Sequence, residues 1–317
     1  MPDAPRRQRA TTLGFLSVLL WGTSIAVGRF AIGQVGFLRG PMIMSLASGV
    51  IGAAFIFSRS KERAGLRTLP ASYWAVCGGL FVLYSVAYNL GIGLARDGRQ
   101  ILVFGMLNYL WPVLTVVFST LIFRRRVSFW LGPGVLAALA GIVLAFLSRP
   151  SSEPVLSVRA VLADVAGSPV VYLLGLLCGV AWALYSNLGK KMVGDHEANP
   201  VPVLFLATGV VFFALFASGA FPGAGAGRTG TMSLSGIATM AYRAVFVDLL
   251  AYALWDAAMR RGDQILVAAA SFLTPLLSTA CIALVLGVRP GWLFWMACLL
   301  LTAGAGISRV SVTEAHS

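Results

Sequence analysis

Arg96-Asp97-Gly98-Arg99-Gln100-Ile101-Leu102-Val103 returns 164 residues later as Arg260-Arg261-Gly262-Asp263-Gln264-Ile265-Leu266-Val267. Tyr88 and Tyr252 precede the two copies at the same offset. Further on, Asn108-Tyr109-Leu110-Trp111-Pro112 faces Ser271-Phe272-Leu273-Thr274-Pro275 at offset 163, which Arg126/Arg289 and Gly141/Gly304 keep. Upstream, Trp21/Trp182 and Gly28/Gly189 stand 161 apart. A near-constant offset carried by polar and aromatic residues marks an internal duplication.

The copies lie in a chain of 317 residues that is 58% hydrophobic and only 11% charged, with a mean hydropathy of +0.86. A soluble domain carries roughly 25% charged residues, so a soluble fold is excluded. Uncharged runs occupy 10–28, 40–58, 68–95, 100–123, 127–148, 165–189, 198–227, 264–288 and 290–308. Each meets the length of about 18 residues that a membrane helix needs. A further span is expected at about 240–260, apolar except for Asp248 and Asp256. The expectation is an all-α integral membrane protein of ten transmembrane helices. Residues 1–148 hold spans 1–5, 149–168 an outer linker, and 169–317 spans 6–10. Five spans per copy is an odd number, so the second copy enters the membrane upside down. Such inverted repeats are the architecture of secondary transporters.

The net charge of +13 does not point to nucleic acid, because the basic residues sit in short clusters between apolar runs. With the N-terminus in the cytoplasm, fifteen face inward: Arg6, Arg7, Arg9, Arg59, Lys61, Arg63, Arg67, Arg124, Arg125, Arg126, Lys190, Lys191, Arg260, Arg261 and Arg309. Eight face outward: Arg29, Arg39, Arg96, Arg99, Arg149, Arg159, Arg228 and Arg289. Arg243 falls at the outer end of span 8. This bias puts both termini in the cytoplasm. Of the 24 basic residues 21 are arginine, a leaning of GC-rich bacterial genomes. Cys77, Cys178, Cys281 and Cys298 all lie in apolar runs and read as small buried hydrophobes.

Pro112 and Pro275 are the prolines expected in the middle of a span. A mid-helix proline frees the carbonyl four residues earlier, here those of Asn108 and Ser271. In hydrocarbon a freed carbonyl faces a cavity, water or a neighbouring helix. Two readings stand: paired structural kinks, or a polar-lined site at the midplane. Tyr84 and Tyr88 share a face of span 3; Asn108 and Trp111 of span 4; Trp182 and Tyr185 of span 6; Asp248, Tyr252 and Trp255 of span 8; and Ser271 and Thr274 of span 9. These stripes and Tyr109 are the candidate substrate-binding residues, although Ser, Thr and Gly also serve close helix packing. No Arg or Lys is expected deep in the membrane, so a modest, partly aromatic substrate with a polar head fits. Asp248 is the candidate coupling residue, whereas Asp256 is explained by pairing with Arg260. With His196 in a loop and His316 in the tail, and no metal, phosphate or nucleophile motif, no catalytic residue, metal site or cofactor is expected. Gly223–Gly227 reads as a flexible loop.

The duplication and the segments Gly105–Pro112 and Ser271–Ser278 resemble the EamA branch of the drug/metabolite transporter superfamily, and within it the aromatic amino acid exporters. The resemblance implies export of aromatic and other neutral amino acids from the bacterial cytoplasm across the inner membrane, through a cavity bounded by spans 3, 4, 8 and 9. The partners expected are therefore amino acid substrates and the lipid bilayer; oligomeric state is left open, a monomer being compatible. The alternative is a proton-coupled multidrug or organic-cation efflux protein, which would use a membrane-buried carboxylate.

Overall fold

A computed structural model describes residues 4–124, 126–148, 158–193, 199–221, 233–262 and 264–311. The Gly223–Gly227 segment, His196, His316 and the Asp256 and Arg260 side chains lie outside the described residues or side chains. The described residues form helices and no strand.

α1 (Ala4–Gly22) and α2 (Ser24–Val35) meet at Thr23 with a bend of 41°. α3 (Arg39–Phe57) follows, then the short polar α4 (Ser60–Arg67) and α5 (Ala71–Leu94), which contains a π-helical stretch at Trp74–Gly78. α6 (Gly98–Asn108) and α7 (Trp111–Phe123) are separated by a two-residue break, and α8 (Leu131–Leu147) comes next. The part of the outer linker that is described is itself helical, α9 (Val158–Gly167). The second half contains α10 (Pro169–Val193) and α11 (Val201–Ala217). α12 runs through Leu234–Tyr242, a π segment Arg243–Leu250 and Ala251–Arg261, starting earlier than the expected 240–260. α13 (Gln264–Ser271), α14 (Thr274–Leu286) and α15 (Trp292–Val310) complete the chain.

Six of these stretches are long and apolar enough to cross a membrane, and the bent α1–α2 pair makes a seventh. α8, α11 and α14 are equally apolar but shorter. Bare Leu, Val and Phe side chains cover the outside: Phe55, Leu121, Leu136, Leu173, Val210 and Leu284 are all more than half exposed. In water such a surface would aggregate; in lipid it is the required one.

α8 packs along α15, α3 along α11, α5 and the α6–α7 pair against α10, and the end of α12 against α1. Small residues set the α8–α15 distance. A Cβ on Gly304 would stand 2.6 Å from the Gly134 carbonyl, and one on Gly141 2.8 Å from the Ala297 carbonyl. Lipid gives no hydrophobic drive for helices to associate, so backbone approach of this kind is the main source of packing energy.

The breaks share one geometry. Leu110 N–H donates to Leu107 O (3.2 Å) and Leu273 N–H to Ala270 O (3.0 Å), a tight turn at matching register. The helix breaks expected at Pro112 and Pro275 are present, but each proline follows its break rather than kinking a continuous helix. Each is the second residue of a new helix, where a missing N–H costs nothing. Nor is the Ser271 carbonyl free: Thr274 Oγ1 donates to it at 2.6 Å, and Thr302 Oγ1 to the next carbonyl, Phe272, at 2.9 Å. The first break carries Trp111 at the position of Thr274 and has no hydroxyl there to offer.

Candidate functional site

Two cavities are lined by residues from both before and after the 149–168 segment. The first encloses about 780 Å³ of space not filled by atoms, part of it open to solvent. Tyr84, Tyr88, Asn108, Tyr109, Tyr252 and Thr274 line it, and so does Asp248. The second, about 770 Å³ by the same measure, is lined by Pro112, Thr115, Ser186, Trp255, Ser271 and Arg309. The expected residues thus divide: Trp255 and Ser271 belong to a different cavity from Asn108 and Tyr109. Tyr185 and Pro275 line neither. Tyr185 instead packs against Phe81, with ring centroids 5.6 Å apart, and Trp182 (5.4 Å).

Trp21, Trp111 and Trp182 line both cavities and form their common wall. Trp182 is its hub, with ring centroids 4.8 Å from Tyr84, 5.9 Å from Tyr252 and 6.4 Å from Trp111. Trp21 lies 5.1 Å from both Tyr252 and Trp255. Edge-to-face and tilted contacts of this kind suit the ring quadrupoles, and they present faces and edges to any third ring that enters. Trp21 was not among the candidates; its repeat relation to Trp182 was the signal that pointed to it.

The larger omission is Arg243. It does not sit at an outer helix end but is 7% exposed and faces the first cavity. The sequence reading placed no basic residue in the site, and Arg243 supplies one. Its Nε donates to Asp248 Oδ1 at 2.9 Å and its Nη1 to the Ser24 carbonyl at 2.8 Å. The guanidinium stands 5.5 Å from the Tyr88 ring centroid, and the Tyr88 hydroxyl is 2.7 Å from Ser24 Oγ. Local backbone makes the pair. In an α-helix residues five apart point about 140° away from one another. The π segment Arg243–Leu250 follows an i→i+5 ladder, which turns positions 243 and 248 toward each other. Gly28 makes room: a Cβ there would lie 2.9 Å from Arg243 Nη1.

Several polar atoms in this region are buried without a partner among the described residues: Trp21 Nε1, Asn89 Oδ1 and Asn108 Oδ1. All three side chains line the first cavity. Buried polar atoms are nearly always hydrogen-bonded, so unmet ones on side chains that line a cavity are candidates for meeting a ligand once those side chains turn toward it. No group of three His, Cys, Asp or Glu side chains is placed to hold a metal among the described residues, and the four cysteines are free thiols.

A multi-pass helical membrane protein with an aromatic wall between two cavities is the class defined so far. Residues 169–310 match the EamA-like transporter family, so the second half of the chain is an EamA domain. Nearly the whole chain is homologous to transporters of this kind. It is 28% identical over 298 residues to the aromatic amino acid exporter YddG of Salmonella typhimurium, covering 94% of this chain and 96% of that one. It is 26% identical over 299 residues to the Escherichia coli protein of the same name, with the same coverage. The Ancylobacter novellus YddG is 28% identical over 309 residues, 95% of this chain and 97% of its own. A solved crystal structure with 23% identity superposes with a TM-score of 0.64, covering 96% of this chain and 98% of its own, and has the same fold.

Proposed function

We propose that the protein exports aromatic and other neutral amino acids across a bacterial inner membrane by alternating access. The observation that carries this is the tryptophan wall: Trp21, Trp111 and Trp182 face both cavities, so one aromatic surface serves a substrate from either side. The names of the relatives favour the same substrate class.

The proposed architecture is ten spans in two inverted halves, residues 1–148 and 169–317, joined by the outer segment 149–168. The bent α1–α2 pair, α3, α5, the α6–α7 pair and α8 make one half; α10, α11, α12, the α13–α14 pair and α15 make the other. Two features support it. The breaks before Pro112 and Pro275 share turn geometry at offset 163. The packing is also exchanged between halves: α5 lies on α10, and the end of α12 on α1. Both termini are proposed in the cytoplasm, on the charge bias of 15 to 8.

Transport is read as facilitated or exchange movement of a neutral zwitterion, without a catalytic step or cofactor. The efflux alternative requires a lone buried carboxylate for a cation and a proton; Asp248 is held by Arg243 instead. The test is counterflow in proteoliposomes. Internal phenylalanine should drive uptake of labelled phenylalanine or tryptophan, and cationic dyes should neither drive nor inhibit it. Counterflow by dyes alone would replace this reading with the efflux one.

A further inference from the structure

We propose that Arg243 and Asp248 form a clamp for the α-carboxylate and α-ammonium groups of the substrate, while the tryptophan wall takes the side chain. The inference rests on the amino acid reading above and adds the polar half of the site.

The pair is buried and lines the same cavity as the aromatic residues. Each member keeps an unused edge. Of the three guanidinium nitrogens, Nε and Nη1 have acceptors, and Nη2 donates to nothing among the described residues. On Asp248, Oδ1 accepts from Arg243, whereas Oδ2 has only Ser48 Oγ at 3.4 Å. That hydroxyl has a single hydrogen and a much closer acceptor, Met44 O at 2.7 Å. Oδ2 is therefore an open acceptor beside an open donor. Asn89 Oδ1 and Asn108 Oδ1 add two more unmet acceptors on the wall of the same cavity.

An anion alone would meet Asp248 as a like charge, and a cation alone would meet Arg243. A zwitterion offers one group to each. Its carboxylate takes Nη2, and its ammonium takes Asp248 Oδ2. The pair is neutral, the ligand is neutral, and the complex carries no net charge through the bilayer. Holding Arg and Asp together also spares each the cost of waiting unpaired in the empty site.

The test is competition binding of phenylalanine, 3-phenylpropionate (no ammonium) and phenethylamine (no carboxylate) to the purified full-length protein. Each analogue should bind about tenfold or more weaker than phenylalanine, the size of one lost charge-assisted hydrogen bond. Asp248→Asn should lower phenylalanine affinity by about as much and remove the preference for phenylalanine over 3-phenylpropionate. Arg243→Lys keeps the charge and, with it, the fold; it should weaken phenylalanine and 3-phenylpropionate and leave phenethylamine unchanged. Equal affinity of the wild type for all three ligands would overturn the clamp alone, as would variants that weaken all three by one common factor or none. A wild type that binds none of them removes the amino acid reading and the clamp with it.

Discussion

The described residues include two arginine–aspartate pairs, and they are built to different ends. Arg99 and Asp164 join the start of α6 to the linker helix α9. Every guanidinium nitrogen of Arg99 is used: Nη1 on Asp164, Nε on Ser148 O at 3.1 Å and Nη2 on Phe146 O at 2.6 Å. Asp164 also accepts from the Tyr172 hydroxyl at 2.6 Å. Burial alone would raise the Asp164 carboxyl, but the hydrogen bonds from Tyr172 and Arg99 outweigh it and hold it below the ordinary carboxylate range. Both side chains are partly exposed, at 18% and 24%. Arg243 and Asp248 are exposed by only 8% and 6%, yet leave a donor and an acceptor open. The saturated guanidinium of Arg99 fastens a linker at a partly exposed site. The guanidinium of Arg243 keeps an open nitrogen where desolvation is most costly, and invites a third party. Counting unmet guanidinium edges, together with burial, separates the two roles better than counting ion pairs does.

The largest expected effect is on folding. Arg243→Gln strands a buried carboxylate, and breaking a buried pair in this way costs about 3–5 kcal/mol. The purified variant should melt far below the wild type. Arg243→Gln with Asp248→Asn should recover most of that loss in a thermal melt without recovering phenylalanine counterflow. A single variant that melts like the wild type would break the contrast between the pairs.

Next in size is the wall. Trp182→Ala removes contacts worth about 0.5–1.5 kcal/mol beyond area burial. Half-saturation for phenylalanine in counterflow should rise about threefold to tenfold, with alanine less affected.

Asp164→Asn should cost about 1 kcal/mol or less, as a partly exposed pair does, and leave counterflow intact. Its pH dependence has a definite sign. A carboxyl held down in the folded state stabilises while it is ionised, and that stabilisation fades as pH falls through its folded-state value. The melting difference between wild type and Asp164→Asn should therefore be full at neutral pH and close in acid.

The smallest expected effect sharpens the comparison most finely. In Gly28→Ala the new methyl would press on Arg243 Nη1, 2.9 Å away. Alanine is the better helix former by about 0.5–1 kcal/mol. Stability should hold or rise slightly while half-saturation for phenylalanine rises about twofold, a loss near 0.4 kcal/mol.

The helical class, the lipid-facing surface and most of the aromatic residues were legible in the sequence, because apolar length and periodicity survive in any packing. The paired breaks were legible as positions, through Pro112 and Pro275. Their geometry was not: a proline two residues into a helix and one in mid-helix leave the same mark in a sequence. Arg243 was misread because arginines at span ends are common and hydropathy cannot see a π segment. Five residues separate Arg243 from Asp248, a spacing that an α-helix would put on diverging faces. Only the widened turn of residues 243–250 brings them together. The division into two cavities was likewise hidden, since Asn108 and Ser271 correspond in the repeat yet line different cavities.

The most direct measurement compares thermal melts of the wild type, Asp164→Asn and Asp248→Asn with and without saturating phenylalanine. A ligand that binds only the folded protein raises its melting temperature in proportion to site occupancy. The account predicts the same upward shift for the wild type and Asp164→Asn, whatever their starting points, and little or none for Asp248→Asn. An Asp248→Asn protein stabilised by phenylalanine as much as the wild type would contradict it, and would make the inner pair a structural fastening like the outer one.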